Sequence, residues 1–186
     1  MILRLPSKRL TARQFERDYA RVPCCELVRG EVIRLSPGEL SHSGSSGNAY
    51  FLIQTWAKSS GRGRAFTNET GLVTTRAPDT VRGADVAYFS YQRLPKKRTP
   101  RGFSTIPPEL VVEVVGKGQG WSDMVEKAGE YLRMGVDRVW VLDPRKRSLH
   151  VFSAGAEPVR LSGRDLVRDA AILPGFSARV AAFFEA

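Results

Sequence analysis

Two carboxylates interrupt short apolar runs rich in β-formers, Asp85 in ADVAYF and Glu113 in ELVVEVV, and this feature limits the fold more than any other. An ionised group inside a buried strand loses its hydration, so the fold must bring a cation or several hydrogen bonds to each of them. In ELVVEVV, Val111, Glu113 and Val115 share one strand face, while in ADVAYF Asp85 shares a face with Ala87 and Phe89. On adjacent strands the two carboxylates converge at one edge of a sheet, where a hard divalent cation relieves their repulsion. For either carboxylate alone, a structural acid satisfied by hydrogen bonds is the alternative.

The segment SDMVEKAGEYL that follows reads as an amphipathic helix. Asp123 and Glu126 are spaced as an N-cap and its capping-box partner, and Met124, Ala128, Tyr131 and Gly135 form the packed stripe. Lys127 lies beside that stripe, one turn after Asp123. It can complete the carboxylate site or form an i,i+4 ion pair with Asp123.

The rest of the chain reads as mixed helix and strand. Thr11 caps a short helix through Tyr19, and CELVRGEVIRLS reads as a β-hairpin or a bent strand turning at Arg29-Gly30, with Glu26 at its start. Residues 39–59 fit a helix ended by Gly61, with Leu40, Tyr50/Phe51, Leu52/Ile53 and Trp56/Ala57 on its apolar side. Strands are expected over 64–67 and 71–76, then a turn at Ala77-Pro78-Asp79 and the strand carrying Asp85. A β-α-β unit follows, with strand 109–115, helix 123–134 and strand 138–142, and Gly135 at the helix end. A turn at 143–147 leads into strand 149–152, and the tail ILPGFSARVAAFF packs as a strand or short helix.

Between the two carboxylate strands lies an irregular segment, 91–108, with four prolines and a run of basic side chains. Arg93, Lys96, Lys97, Arg98 and Arg101 are candidates for contact with a phosphate backbone; a solvated connector is the alternative. The chain as a whole carries 29 Lys and Arg against 19 Asp and Glu, a formal net charge of +10, which favours a nucleic acid as partner. Its 186 residues, 42% of them hydrophobic, suit one domain spanning 1–186. Cys24 and Cys25 are sequence neighbours without metal-site companions, which points to a reduced, cytoplasmic protein. There is no uninterrupted apolar signal region and no run of eighteen apolar residues, so no membrane partner is expected.

The order ELVRGEVIRLSP, His42, a strand ending in an acidic residue, ELVVEVV, D-x-x-x-K, Tyr131, GV-x-x-x-WVLDP and LPGF resembles the Uma-two family of bacterial restriction endonucleases, within the PD-(D/E)XK nuclease superfamily. The resemblance runs from about residue 10 to 184. It implies an α/β (α+β) fold with a restriction-endonuclease-like core, a mixed central β-sheet flanked by helices. Carried over residue by residue, it implies that Asp85 and Glu113 bind the metal, Mg2+ or Mn2+, with the Val114 carbonyl as a further ligand. Lys127 becomes the catalytic lysine and Glu26 an acidic residue joining the site.

The usual superfamily signature has its lysine two residues after the glutamate, where this chain has Val115, and a proline before the aspartate, where it has Ala84. The Uma-two pattern moves the lysine to the next helix, and Lys127 matches. The turn after the glutamate strand reads Gly116-Lys117-Gly118-Gln119-Gly120 in place of a Ser-Pro-Ser-like turn, which makes Lys117 a second candidate for the cation. The implied activity is metal-dependent hydrolysis of DNA phosphodiesters, and the family makes a homodimer plausible. The competing expectation is a nucleic-acid-binding or oligomeric accessory protein with a vestigial site. Nothing in the residues separates DNA from RNA as the substrate.

Overall fold

The computed structural model describes residues 3–4, 9–19 and 22–185. In chain order it contains β1 (Leu3–Arg4), α1 (Ala12–Tyr19), β2 (Cys25–Val28), β3 (Glu31–Arg34), α2 (Leu40–Ser60), β4 (Gly63–Thr75) and β5 (Thr80–Ser90). These are followed by β6 (Leu110–Val114), α3 (Trp121–Met134), β7 (Arg138–Asp143), β8 (Ser148–Phe152), β9 (Val159–Ser162), β10 (Leu166–Val167), β11 (Ala178–Arg179) and a 3-10 turn, Val180–Phe183. The main sheet runs β1-β3-β2-β5-β6-β7-β8-β9, with β4 also paired to β5. Only β6 and β7 pair in parallel among the described strands, joined by a crossover through α3. The sheet is mixed and flanked by helices, as expected.

Alternation along the central strands sorts their side chains between two cores. Val86, Tyr88, Leu110, Val112, Val114, Trp140 and Leu142 pack under α2, while Ala87, Phe89, Val111, Val139 and Val141 pack under α3. Fully burying a side chain of this size contributes about 1.5 to 3 kcal/mol. A smaller core holds α1 through Ala12 and Phe15 against Leu27, Val73 and Val81.

Three local expectations need correction. The side of α2 that is buried is Ser45, Ala49, Ile53 and Ala57, whereas Leu40 and Phe51 are exposed at 93% and 67%. The small residues Ser45, Ala49 and Ala57 let α2 lie close to the sheet around Ile53, and Tyr50, Leu52 and Trp56 pack against the same core, so the expected apolar side fails only at Leu40 and Phe51. The two strands expected over 64–67 and 71–76 are one strand, β4, with a bulge between Thr67 and Thr70 where Asn68 and Glu69 take positive φ. The N-cap of α3 is Gly120, and Asp123 accepts its N–H at 2.8 Å from inside the first turn.

Helix α1 is anchored from outside. Thr11 and Gln14 form its capping box, and the N–H of Ala12 donates to Asp79 Oδ2 at 2.7 Å, from the β4–β5 turn. Burial pushes the Asp79 carboxyl up, but the N–H groups of Ala12 and Ala77 and the Arg76 guanidinium outweigh it and hold the group below 3.8. Its stabilisation is therefore present above that value and fades as the pH falls through the lowered one. Asp79→Ala is expected to cost about 1 to 2 kcal/mol at neutral pH. Urea unfolding should show the difference from wild type shrinking below pH 3.8.

Candidate functional site

The carboxylates meet where the sheet forks. One edge of β5 pairs with β4 along its length; the other pairs with β2 at Leu27↔Val81 and with β6 from Val86↔Val112 to Tyr88↔Leu110. Between Val81 and Val86, β2 and β6 diverge, which leaves backbone donors without strand partners. Side chains satisfy two of them: Gly83 N–H donates to Glu26 Oε1 at 3.0 Å, and Val114 N–H donates to Asp85 Oδ2 at 2.7 Å. Asp85 is thereby held one residue from Glu113 along β6.

Helix α3 turns Lys127 inward onto this fork. Its ammonium donates to Glu113 Oε2 at 2.8 Å, approaches Glu26 Oε1 at 2.9 Å and donates to the Gly83 carbonyl at 3.3 Å, so each of its three N–H groups has an acceptor. Glu113 Oε1 accepts the Tyr131 hydroxyl at 2.7 Å. Glu113 is 3% exposed and Lys127 6%, which makes this a buried ion pair. The pairing with Asp123 that the helix spacing allowed is not made.

Burial dominates the proton affinities. It raises the Glu113 carboxyl to about 7, helped by Asp85 and Glu26 and opposed by Lys127. Burial alone would neutralise Lys127, yet the charges of Glu113, Glu26 and Asp85 overcome it and hold the ammonium well above its usual value. Glu26, also buried, is kept below the carboxylate range because Lys127 and Arg82 outweigh its desolvation.

Several partners were not foreseen. Arg82 bridges Glu26 (Nη1 to Oε2, 2.9 Å) and Glu130, which it grips through Nε at 2.6 Å and Nη2 at 2.9 Å. The β4 bulge turns Glu69 towards the cleft, where burial, Asp85 and Glu26 raise its carboxyl. No periodicity marks Arg82, Glu130 or Glu69 as members of a site. His42, in the first turn of α2, places Nε2 3.4 Å from Asp85 Oδ2, and that carboxylate lifts its proton affinity. It fits because residue 38 is glycine: a Cβ there would stand 2.9 Å from His42 Nδ1.

A cleft of about 480 Å³ opens over this cluster, lined among others by Glu26, His42, Glu69, Asp85, Glu113 and Lys127. Asp85, Glu113, Lys127, Glu26 and Val114 are thus brought together. Lys117 is at the cleft mouth, 3.6 Å from Glu39 and far more exposed than Lys127. The basic segment lies elsewhere. It runs back along the outer edge of β4, where Ser104 bridges Leu72 and Arg64 donates to the Arg98 carbonyl and to Thr99 Oγ1. None of Lys96, Lys97, Arg98 and Arg101 lines the cleft. Arg93 is committed to Glu109, Asp137 and the carbonyls of Pro107 and Pro108.

Four carboxylates, Glu26, Asp85, Glu113 and Glu130, face two fixed cations, Arg82 and Lys127, a formal excess of two negative charges. Among the described residues, no group of three or more His, Cys, Asp or Glu side chains is arranged to hold an ion by itself. Among the described residues no helix is long and apolar enough to cross a membrane.

The fold is shared with the crystal structure of a putative nuclease belonging to DUF820 from Anabaena variabilis, with a TM-score of 0.80 and 20% sequence identity, covering 94% of this chain and 97% of that one. No curated protein matches. Residues 13–181 match the model of the Uma2 family, described as "Putative restriction endonuclease", and the chain belongs to that family.

Proposed function

We propose that the protein is a metal-dependent endonuclease that hydrolyses phosphodiester bonds of DNA. One observation carries this reading: Asp85, Glu113 and Lys127 converge from β5, β6 and α3 at a sheet fork whose carboxylates outnumber its fixed cations. The fold and the family membership support the nuclease part of it.

The residues fit a hard divalent ion. Asp85 and Glu113 offer oxygen donors in a charge-surplus cluster, and Asp85 Oδ1 has no hydrogen bond among the described residues. Magnesium is commonly held by only one or two carboxylates, with water and substrate phosphate completing its shell, so a third acidic ligand is not required. Mg2+ or Mn2+ would be held by Asp85, Glu113 and the Val114 carbonyl, and when bound it supplies a more acidic water and charge neutralisation at the phosphate.

The chain's own groups do the rest. Lys127 stays protonated between Glu113 and Glu26, so its part is that of a preorganised cation offsetting charge that develops on the phosphate, rather than that of a base. Glu26 and Arg82 are positioning residues: Glu26 fixes the ammonium, and Arg82 fixes Glu26 against Glu130. Tyr131 orients Glu113 through its hydroxyl. The net charge of +10 favours a polyanionic substrate, and a homodimer would present two sites to the two strands of a duplex.

Calorimetric titration with manganese tests the site. Wild type is expected to give a saturable isotherm that Glu113→Ala abolishes while circular dichroism shows the fold retained. Absence of saturable binding in the wild type, or equal binding by the variant, would overturn the metal-dependent reading and favour a vestigial site.

A further inference from the structure

A second feature of the same sheet end points to how substrate is engaged beyond the carboxylates. The residues at successive positions across β6, β7, β8 and β9 are in register as Glu113↔Val141, Val141↔His150 and His150↔Arg160. Directly paired residues share a sheet face, so this row runs from the carboxylate to Arg160 on the α3 side. Val141 is buried beneath α3, while His150 is half-buried and Arg160 is exposed. With strands about 4.8 Å apart, His150 lies two strands from Glu113, roughly 10 Å away.

Over His150 sits Trp121, the first residue of α3. Its ring centroid is 4.4 Å from that of His150 and 5.8 Å from that of Phe152, yet 43% of the residue remains in solvent. The other two tryptophans are committed to the core: Trp140 is fully buried, and the Trp56 indole donates to the Pro174 carbonyl. The two rings are inclined at 54°, and burial and Arg160, with Lys146 and against Asp143, lower the proton affinity of His150, so the indole has an imidazole behind it and cations at its border. Lys146, at the β7–β8 turn, is 67% exposed and 3.6 Å from Asp143. The turn 116–120, of which Gly116, Lys117, Gly118 and Gln119 line the cleft, leads directly into Trp121, so the cleft and the aromatic pair adjoin along the chain.

We infer that Trp121, backed by His150 and bordered by Arg160 and Lys146, is a stacking platform for an unpaired nucleobase one to a few nucleotides from the carboxylate site. An exposed indole pinned by a second ring offers a rigid π-face at low entropic cost, and neighbouring cations suit the adjoining phosphates. The inference rests on the nuclease reading and deepens it: the preferred substrate has single-stranded character next to the cleavage site. The alternative is that Trp121 merely closes the edge of the core under α3.

The two are separated by binding measurements in calcium, with a labelled 12-nucleotide thymidine single strand and a blunt duplex containing it. The platform predicts that the single strand quenches tryptophan fluorescence. It also predicts that Trp121→Ala weakens single-strand binding about tenfold or more while changing duplex binding less than about threefold, with Trp121→Phe restoring most of the loss. Arg160→Gln, which leaves the packing intact, should weaken single-strand binding and lower its salt dependence. Unchanged single-strand binding in Trp121→Ala, or equal losses on both substrates in Trp121→Ala and Trp121→Phe, overturns the platform and leaves the nuclease reading standing. Failure of the wild type to bind either oligonucleotide at low salt overturns the nuclease reading beneath it.

Discussion

Replacing Lys127 by methionine is expected to lower folding stability by about 3 to 5 kcal/mol, because it removes the cation from between two buried carboxylates. Methionine fills much the same volume, so little of this loss is packing. The magnitude decides between two accounts of the lysine. An exposed i,i+4 pair with Asp123 would contribute only about 0.3 to 0.5 kcal/mol, whereas the observed contacts are with Glu113 at 2.8 Å and Glu26 at 2.9 Å, both 3% exposed. Adding Glu113→Gln to Lys127→Met should recover part of the loss, because the glutamine needs no counter-charge and its carbonyl can still accept the Tyr131 hydroxyl. Urea unfolding of the two single variants and the double variant measures this directly. A loss below about 1 kcal/mol for Lys127→Met would contradict the buried pairing.

Asp85→Asn should separate chemistry from folding. Asparagine keeps an oxygen for the Val114 N–H, now accepted by Asp85 Oδ2 at 2.7 Å, so the fork between β2 and β6 stays closed over its backbone donor. What is lost is one negative charge in a cluster already carrying an excess of two. Thermal unfolding is therefore expected at the wild-type midpoint or somewhat above it, since repulsion with Glu113 is relieved. Cleavage, in contrast, should fall by at least about a hundredfold, the scale seen when a group that fixes or stabilises a reacting centre is removed. A parallel fall in stability and activity would mean that Asp85 is a structural acid.

Much of this was legible in the residues because burial of a charge is visible in sequence. Glu113 stands out inside ELVVEVV, and the distance to helix α3 is short enough that a β-α-β unit is the natural reading of 109–142. The destination of Lys127 was not legible from spacing alone, since a position beside the packed stripe serves a surface pair and a buried one equally well. Arg82 reads as an ordinary polar strand residue in TVRGADV, and only the divergence of β2 from β6 makes its edge of β5 an interior site. Glu69 depends on a bulge, and bulges leave no periodic trace. The basic segment stays out of the cleft for a topological reason. Adjacency in sequence to both carboxylate strands suggested adjacency to the site, but antiparallel β5 and β6 put their connection at the opposite end of the strands from Asp85 and Glu113. In α2 the small residues Ser45, Ala49 and Ala57 make the close contact with the sheet, while the conspicuous Leu40 and Phe51 face solvent.

Nicking of supercoiled plasmid DNA tests the central claim most directly, with wild type and Asp85→Asn incubated side by side in magnesium and in chelator. The account predicts conversion to open circle by the wild type in magnesium alone, with none above background in chelator or by the variant. Undiminished nicking by Asp85→Asn, or nicking by the wild type that persists in chelator, would contradict it.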